Sequence, residues 1–335
     1  MKYKELCEAN VTIGKAKSYS EETLIRLKAD LAESLSGLSH LEFTIITTGS
    51  YGRLEASEES DIDLFIFCDK APTLQEVIKN KEAIERCVKK YVLKDAGDTG
   101  TFGSDAADVF ENILMNIGGN NDTNASLTRR MLFLLEGKAI YNEAVFEKYK
   151  ITLINKYLKS SSEGKIDKYL LNDIIRYYRT ITTDFQHKVD AGGKSWGIRN
   201  IKLRFSRKLL YFAGIMAIAF AADKEMDTNN RVNFLSKLFD TPALERVYDI
   251  AVNYKESEVE SLLSNIFENY ESFLCCISDR EQRRELEDIK EKEDRLNKTI
   301  YGDLSRKSIS FTKDLYDLLN VVFDRTHPIH TALIF

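Results

Sequence analysis

The sequence predicts an α/β chain in which a small mixed β-sheet domain over residues 1–158 is followed by an α-helical domain over residues 159–335. Two runs rich in β-branched and aromatic residues, Leu41 to Thr47 and Asp61 to Phe67, lie close together early in the chain. Beyond about residue 165, apolar positions recur at helical spacing. The whole chain carries only three prolines, so little interrupts those runs. At 335 residues there is enough chain for two domains that each bury a core.

Taken in order, residues 20–36 open with Ser20 and acidic residues and then repeat apolar positions, which reads as a capped amphipathic helix. Leu41 to Thr47 reads as a strand ending at Gly49-Ser50, and Asp61 to Phe67 as its partner. A helix is expected from about Leu74 to Tyr91, then a Gly- and Asp-rich loop from Lys94 to Asp108. Val109 to Ile117 is short enough to be strand or helix, and a strand is favoured. Thr123 or Asn124 caps a helix that Gly137 ends, and the Ser-rich stretch near residue 160 reads as a linker. Helices are then expected over 166–186, 198–223, 231–238, 242–254, 258–276 and 279–298.

Composition narrows the function. With 48 Lys and Arg against 53 Asp and Glu, a net charge of −5 provides no global attraction to nucleic acid or to anionic membranes. No duplex-binding domain or basic arm is legible, so neither duplex nucleic acid nor a membrane is an expected partner. The apolar run Leu209 to Ala222 is too short to span a bilayer and reads as a buried helix. Five cysteines without framework spacing, and an N-terminus lacking a signal-type apolar core, point to the cytoplasm. His187, His327 and His330 have no Cys partner at zinc spacing.

The informative segment is Thr47 to Phe67, TTGSYGRLEASEESDIDLFIF. Residues two apart on a strand share a face, so Asp61 and Asp63 present both carboxylates together while Ile62 anchors in the core. Two like charges at that distance call for a cation. Hard oxygen donors suit Mg²⁺, with Mn²⁺ as a substitute, and a pair of ions can bridge a triphosphate and an acceptor. Gly49 lets the backbone approach phosphate, Ser50 adds a hydroxyl and an amide, and Arg53 lies one turn on as a charge clamp. Tyr51 reads as packing, and Glu55, Glu58 and Glu59 as a solvated loop.

Gly49-Ser50-Tyr51-Gly52-Arg53, followed by Ser60-Asp61-Ile62-Asp63-Leu64, resembles the signature of the DNA polymerase β nucleotidyltransferase superfamily. The stretch from Ile117 to Asn142 is similar to bacterial nucleotidyltransferases allied to the nitrogen-signalling uridylyltransferase. Together they cover roughly residues 40–145. The resemblance implies transfer of a nucleoside monophosphate from a nucleoside triphosphate to a hydroxyl, with Asp61 and Asp63 as metal ligands. It also implies a third carboxylate, for which Asp105, Glu111 and Asp122 are the candidates and Glu111 is favoured. Lys202 and Ser206, four apart in a basic helical stretch, would contact the triphosphate. Trp196, Tyr177 and Tyr178 read first as core and second as base-stacking residues. The expected product is a nucleotide signal or short oligonucleotide, as in phage defence. The alternatives are protein nucleotidylylation and a silent nucleotide sensor. An effector protein or a further copy of the chain are the partners left open.

Overall fold

The computed structural model describes residues 2–94, 106–159, 165–192, 195–254, 257–296 and 298–334. It divides into two units, one of residues 15–159 and one of residues 1–14 with 160–335. The division falls inside the expected Ser-rich linker, and the first fourteen residues cluster with the helical unit rather than with the sheet.

The chain opens with α1 (Tyr3–Ala9) and α2 (Val11–Ser34). The expected helix start at Ser20 is therefore too late. Ser20 is a fully buried joint instead of a cap, its hydroxyl donating to the Ala16 carbonyl (2.7 Å) and accepting from the Ala56 amide (2.9 Å). The sheet unit continues through β1 (Phe43–Thr48), the single turn α3 (Gly49–Gly52), β2 (Asp63–Cys68), α4 (Ala71–Lys79) and α5 (Lys81–Tyr91). After residues 95–105, outside the described set, come β3 (Ala107–Val109), α6 (Phe110–Met115), α7 (Asn124–Glu136), β4 (Lys138–Tyr141) and α8 (Glu143–Leu158).

The sheet is mixed, as the sequence predicts, and its strand order is β3-β2-β1-β4. β1 runs antiparallel to both β2 and β4, and β2 runs parallel to β3. Every residue of β1 is buried, because the sheet is covered on both faces. On one side Leu27 and Leu31 of α2, Leu35 just after it, and Ile84 and Val88 of α5 join Phe43, Ile45, Leu64 and Ile66 in one core. An aromatic cluster of Phe67, Phe110, Phe133, Phe146 and Tyr149 forms a second, with Phe110 and Tyr149 stacked at 4.2 Å.

The segment Val109 to Ile117 corrects the strand expectation. Pairing stops at Val109 and the chain turns directly into α6, whose apolar Phe110 and Ile113 are three apart and buried, a helical rather than an alternating pattern. β4 was hidden because four residues after a helix-ending glycine carry too little periodicity to read.

The helical unit contains α9 (Lys168–Gly192), α10 (Trp196–Lys202), a π-helical turn (Leu203–Arg207), α11 (Lys208–Ala222), α12 (Thr228–Asp240), α13 (Ala243–Ala251), α14 (Val259–Ser278), α15 (Arg280–Glu287), α16 (Thr299–Val322) and α17 (Pro328–Ala332). The charged helix expected over 279–298 stops at Glu287. The helical run Trp196–Ala222 is longer than the apolar stretch alone implies, enough by length and composition to cross a membrane, yet 78% of its most apolar window is buried within the protein.

Candidate active site

Strand register builds the site. Thr48, the last residue of β1, pairs with Asp63, the first of β2, so the Gly49 turn and the Asp-x-Asp segment meet at one end of the sheet. The β2 strand begins at Asp63, so Asp61 lies just before it rather than within it. The alternation nevertheless holds: Ile62 and Leu64 are buried, Asp63 is exposed and Asp61 half-buried. The Thr47 hydroxyl donates to the Asp63 carbonyl (3.1 Å), fixing the strand end from below.

Gly49 has φ +68°, a conformation that L side chains rarely adopt. A Cβ built there would sit 2.8 Å from Asp63 Oδ2. The glycine is thus required twice, once for the backbone turn and once to leave room for the carboxylate. Gly52 has a different reason: a Cβ would lie 2.3 Å from the Glu136 carbonyl, so that position is set by packing of the turn against the end of α7.

The phosphate-cradle expectation is met only in part. The Gly49 amide donates to Glu136 Oε1 (2.9 Å) and is not available to a phosphate. Ser50 is half-buried, and no described residue engages its hydroxyl. Arg53 is the larger correction. Its guanidinium is 7% exposed, Nε donating to Glu55 (2.7 Å) and Nη1 to Glu136 (2.5 Å), with the Glu136 side chain fully buried. A buried guanidinium spanned by two carboxylates is a structural brace beneath the turn, not a free clamp. Glu55, expected on a solvated loop, is one of its anchors, and Leu54 between them takes a left-handed φ of 57°. Glu136 could have been noticed as a lone acid in the apolar run of α7, where a charge that faces the core needs a partner.

Two of the three candidates for the third carboxylate are placed by the structure. Glu111 is exposed on the first turn of α6. Because β3 pairs Val109 with Cys68, Glu111 lies beyond the far end of β2 from Asp63, roughly 15 Å away at strand rise, and cannot join the pair. The Asp122 side chain is buried and accepts from Arg130 Nη2 (3.1 and 3.2 Å) and from the Gly118 amide (2.9 Å), which makes it the partner of a fully buried arginine. Asp105 lies outside the described residues. Asp108 on β3 is held by Arg129 and Asn112.

Asp61 forms no ion pair among the described residues. Tyr51 beneath it is fully buried, and burial, then the adjacent Tyr19 hydroxyl and the Asp61 charge, push its phenol well above the usual range, which keeps it neutral. The donor set fits a hard divalent cation: two carboxylates two residues apart at the start of β2, no soft ligand, and a glycine at position 49 whose missing side chain leaves room for the Asp63 carboxylate. Among the described residues no group of three or more His, Cys, Asp or Glu converges as a ready-made metal site.

In the helical unit, Ser206 is buried and donates to the Lys202 carbonyl (3.1 Å) within the π-helical turn, so its hydroxyl is not presented as expected for a triphosphate contact. Lys202 is half-buried. Tyr177 is core, Tyr178 stacks on Tyr211 (4.6 Å), and Trp196 packs on Phe185 and Tyr301.

A mixed sheet with a Gly-Ser turn facing an Asp-x-Asp at one end defines a domain of the nucleotide-transferring class. The nucleotidyltransferase domain family model matches residues 28–102, so such a domain is present there. No curated protein matches the chain.

Proposed function

We propose that the chain is a metal-dependent, template-independent nucleotidyltransferase, of the branch allied to the uridylyltransferase. In this reading it moves a nucleoside monophosphate from a nucleoside triphosphate to a hydroxyl and releases pyrophosphate. The observation that carries this is the Asp63 carboxylate seated against Gly49, with Asp61 beside it and the Ser50 hydroxyl open on the same turn. Asp61 and Asp63 would hold Mg²⁺ or Mn²⁺, which when bound neutralises triphosphate charge. The chain's own work is positioning: the Arg53-Glu55-Glu136 brace fixes the turn, β1 pairing fixes Asp63, and Ser50 offers a donor to a phosphate oxygen.

With Glu111 too distant and Asp122 neutralising Arg130, we assign activation of the acceptor hydroxyl to Asp105, two residues upstream of β3 in the chain. The product we favour is a soluble nucleotide signal or short oligonucleotide made from cytoplasmic nucleotides. The test is incubation of wild type beside Asp61→Ala/Asp63→Ala with each α-phosphate-labelled NTP or dNTP and Mg²⁺, resolving soluble from protein-bound label. Soluble label with the wild type alone supports the reading, and label on protein instead replaces it with nucleotidylylation. Nucleotide binding without turnover for any substrate would make the chain a sensor.

A further inference from the structure

Two basic side chains on the face joining the π-helical turn to α16 lack the partners that their surroundings call for. Arg204, within the turn, donates through Nη1 to the Ser305 hydroxyl (2.8 Å) and the Ser308 hydroxyl (3.2 Å). Lys208, one helical step on, donates to the Thr312 hydroxyl (2.5 Å). Both cations are half-buried, and among the described residues neither has a carboxylate in ion-pairing distance. Other basic residues of this unit are treated differently: Arg176 pairs with Asp173, Arg231 with Asp167 and Arg283 with Glu287.

The hydroxyls cannot neutralise the charge. Ser308 and Thr312 send their own protons to the helix carbonyls of Ser305 and Ser308, so they act only as neutral acceptors. Ser305 alone keeps a hydroxyl proton to give. Adjacent like charges in a partly dehydrated place are costly unless an anion joins them. That cost is visible at Lys208, whose ammonium is drawn down to about 8 by burial and then by the Arg204 charge. Arg204 and Lys208 are four apart, so both cations address the Ser305, Ser308 and Thr312 face of α16, and Arg204 lies in a π-helical turn of a kind that recurs at functional sites.

We propose that Arg204, Lys208 and Ser305 form a phosphate-binding site within the helical unit, separate in residues from the Asp61-Asp63 pair. A phosphate or pyrophosphate group matches it: two negative charges against two cations, with Ser305 donating to a third oxygen. The group could arrive as a free anion or as part of a nucleotide. The site stands whether or not the sheet unit performs nucleotidyl transfer.

The test is calorimetric titration of the full chain with inorganic phosphate, pyrophosphate and each NTP, without divalent metal. It compares wild type, Arg204→Gln, Lys208→Gln and Asp61→Asn/Asp63→Asn. Binding kept by the Asp variant and weakened about tenfold or more by each Gln variant, the loss of one charge-assisted contact, supports the site. Tight binding of phosphate or pyrophosphate alone identifies a free anion, and binding restricted to NTPs identifies a nucleotide phosphate. Equal binding by wild type and both Gln variants overturns the proposal, as does absence of binding of every probe to the wild type. Should a Gln variant fail to fold by circular dichroism, Arg204→Lys and Ser305→Ala take its place. Retained binding in the first and weakened binding in the second is the expected pair, and unchanged binding in the second overturns the role of Ser305.

Discussion

Arg53 separates two accounts of the Gly-Ser-Tyr-Gly-Arg turn, and its removal tells them apart. If the guanidinium were a phosphate clamp, Arg53→Ala would leave the fold intact and raise KM for the nucleotide. The geometry gives the opposite expectation. Arg53, Glu55 and Glu136 are each less than a tenth exposed, and Nε and Nη1 are bonded to separate carboxylates. Deleting one member of a buried ion pair leaves the remaining charge without compensation and costs about 3–5 kcal/mol. Glu136→Ala also strands the Gly49 amide, an additional loss of roughly 1–3 kcal/mol. The double variant should recover part of the sum, with a coupling on the order of 2–3 kcal/mol, because neither charge is then left facing the other's vacancy.

The assay must report on the sheet unit. The single tryptophan, Trp196, lies in the helical unit, so its fluorescence reads the wrong part of the chain. Hydrogen exchange of the β1 peptide followed by mass spectrometry reads the right one, since every residue of β1 is buried and paired. The expected result is loss of β1 protection in Arg53→Ala and in Glu136→Ala, with partial recovery in the double variant. Unchanged protection in Arg53→Ala together with a raised KM would refute the brace and restore the clamp.

Three further outcomes follow from the geometry. Gly49→Ala should cost about 1–2 kcal/mol for the left-handed backbone and, by displacing the Asp63 carboxylate, lower Mg²⁺ affinity more than it lowers stability; titration calorimetry beside thermal unfolding checks this. Glu111→Gln should leave turnover unchanged and Asp105→Asn should abolish it without loss of nucleotide binding. Asp122→Ala should instead unfold the sheet unit by roughly 3–5 kcal/mol through the orphaned Arg130, all three being read by label transfer and circular dichroism. His327 predicts a pH effect: its Nε2 lies 3.0 Å from Asp223 Oδ1, short of hydrogen-bond geometry, and burial holds its pKa below 6.5 despite that carboxylate. The unfolded chain therefore binds the proton first, and stability should decline as pH falls through 6.5, then level once the native residue is also protonated. His327→Asn should flatten that slope in denaturant titrations at pH 5 to 7.5.

The sequence was most legible where one residue has one physical reason. Asp61, Ile62, Asp63 and Leu64 alternate because a strand end forces it, and the structure keeps that alternation even though pairing begins only at Asp63. Gly49 needed its freedom, but for the left-handed turn and the Asp63 carboxylate rather than for the phosphate approach expected of it, since Glu136 holds its amide. The reading failed where partners are distant in the chain. Arg53 and Glu136 are separated by 83 positions, and nothing local distinguishes a guanidinium awaiting phosphate from one already held by a glutamate. Glu111 failed for a related reason: its place depended on whether pairing continued past Val109, and the buried Phe110 and Ile113 settle that in favour of a helix only once their packing against α7 and α8 is known.

These failures share a pattern that bears on the signature itself. Of its members, Gly52 and Arg53 face inward, one against the Glu136 carbonyl and the other bonded to the Glu136 and Glu55 carboxylates, while Ser50 and Asp61 are half-buried and Asp63 is exposed. On the proposed function, a motif of this kind holds two sets of constraints in one short stretch, one set maintaining a strained turn and one set assigned to the chemistry. Substitutions in the first set should act on stability before they act on turnover, and substitutions in the second should do the reverse. Comparing Arg53→Ala with Asp63→Asn in the same exchange and label-transfer assays tests that division directly: parallel loss of both readouts in both variants would mean that the turn and the metal pair cannot be separated.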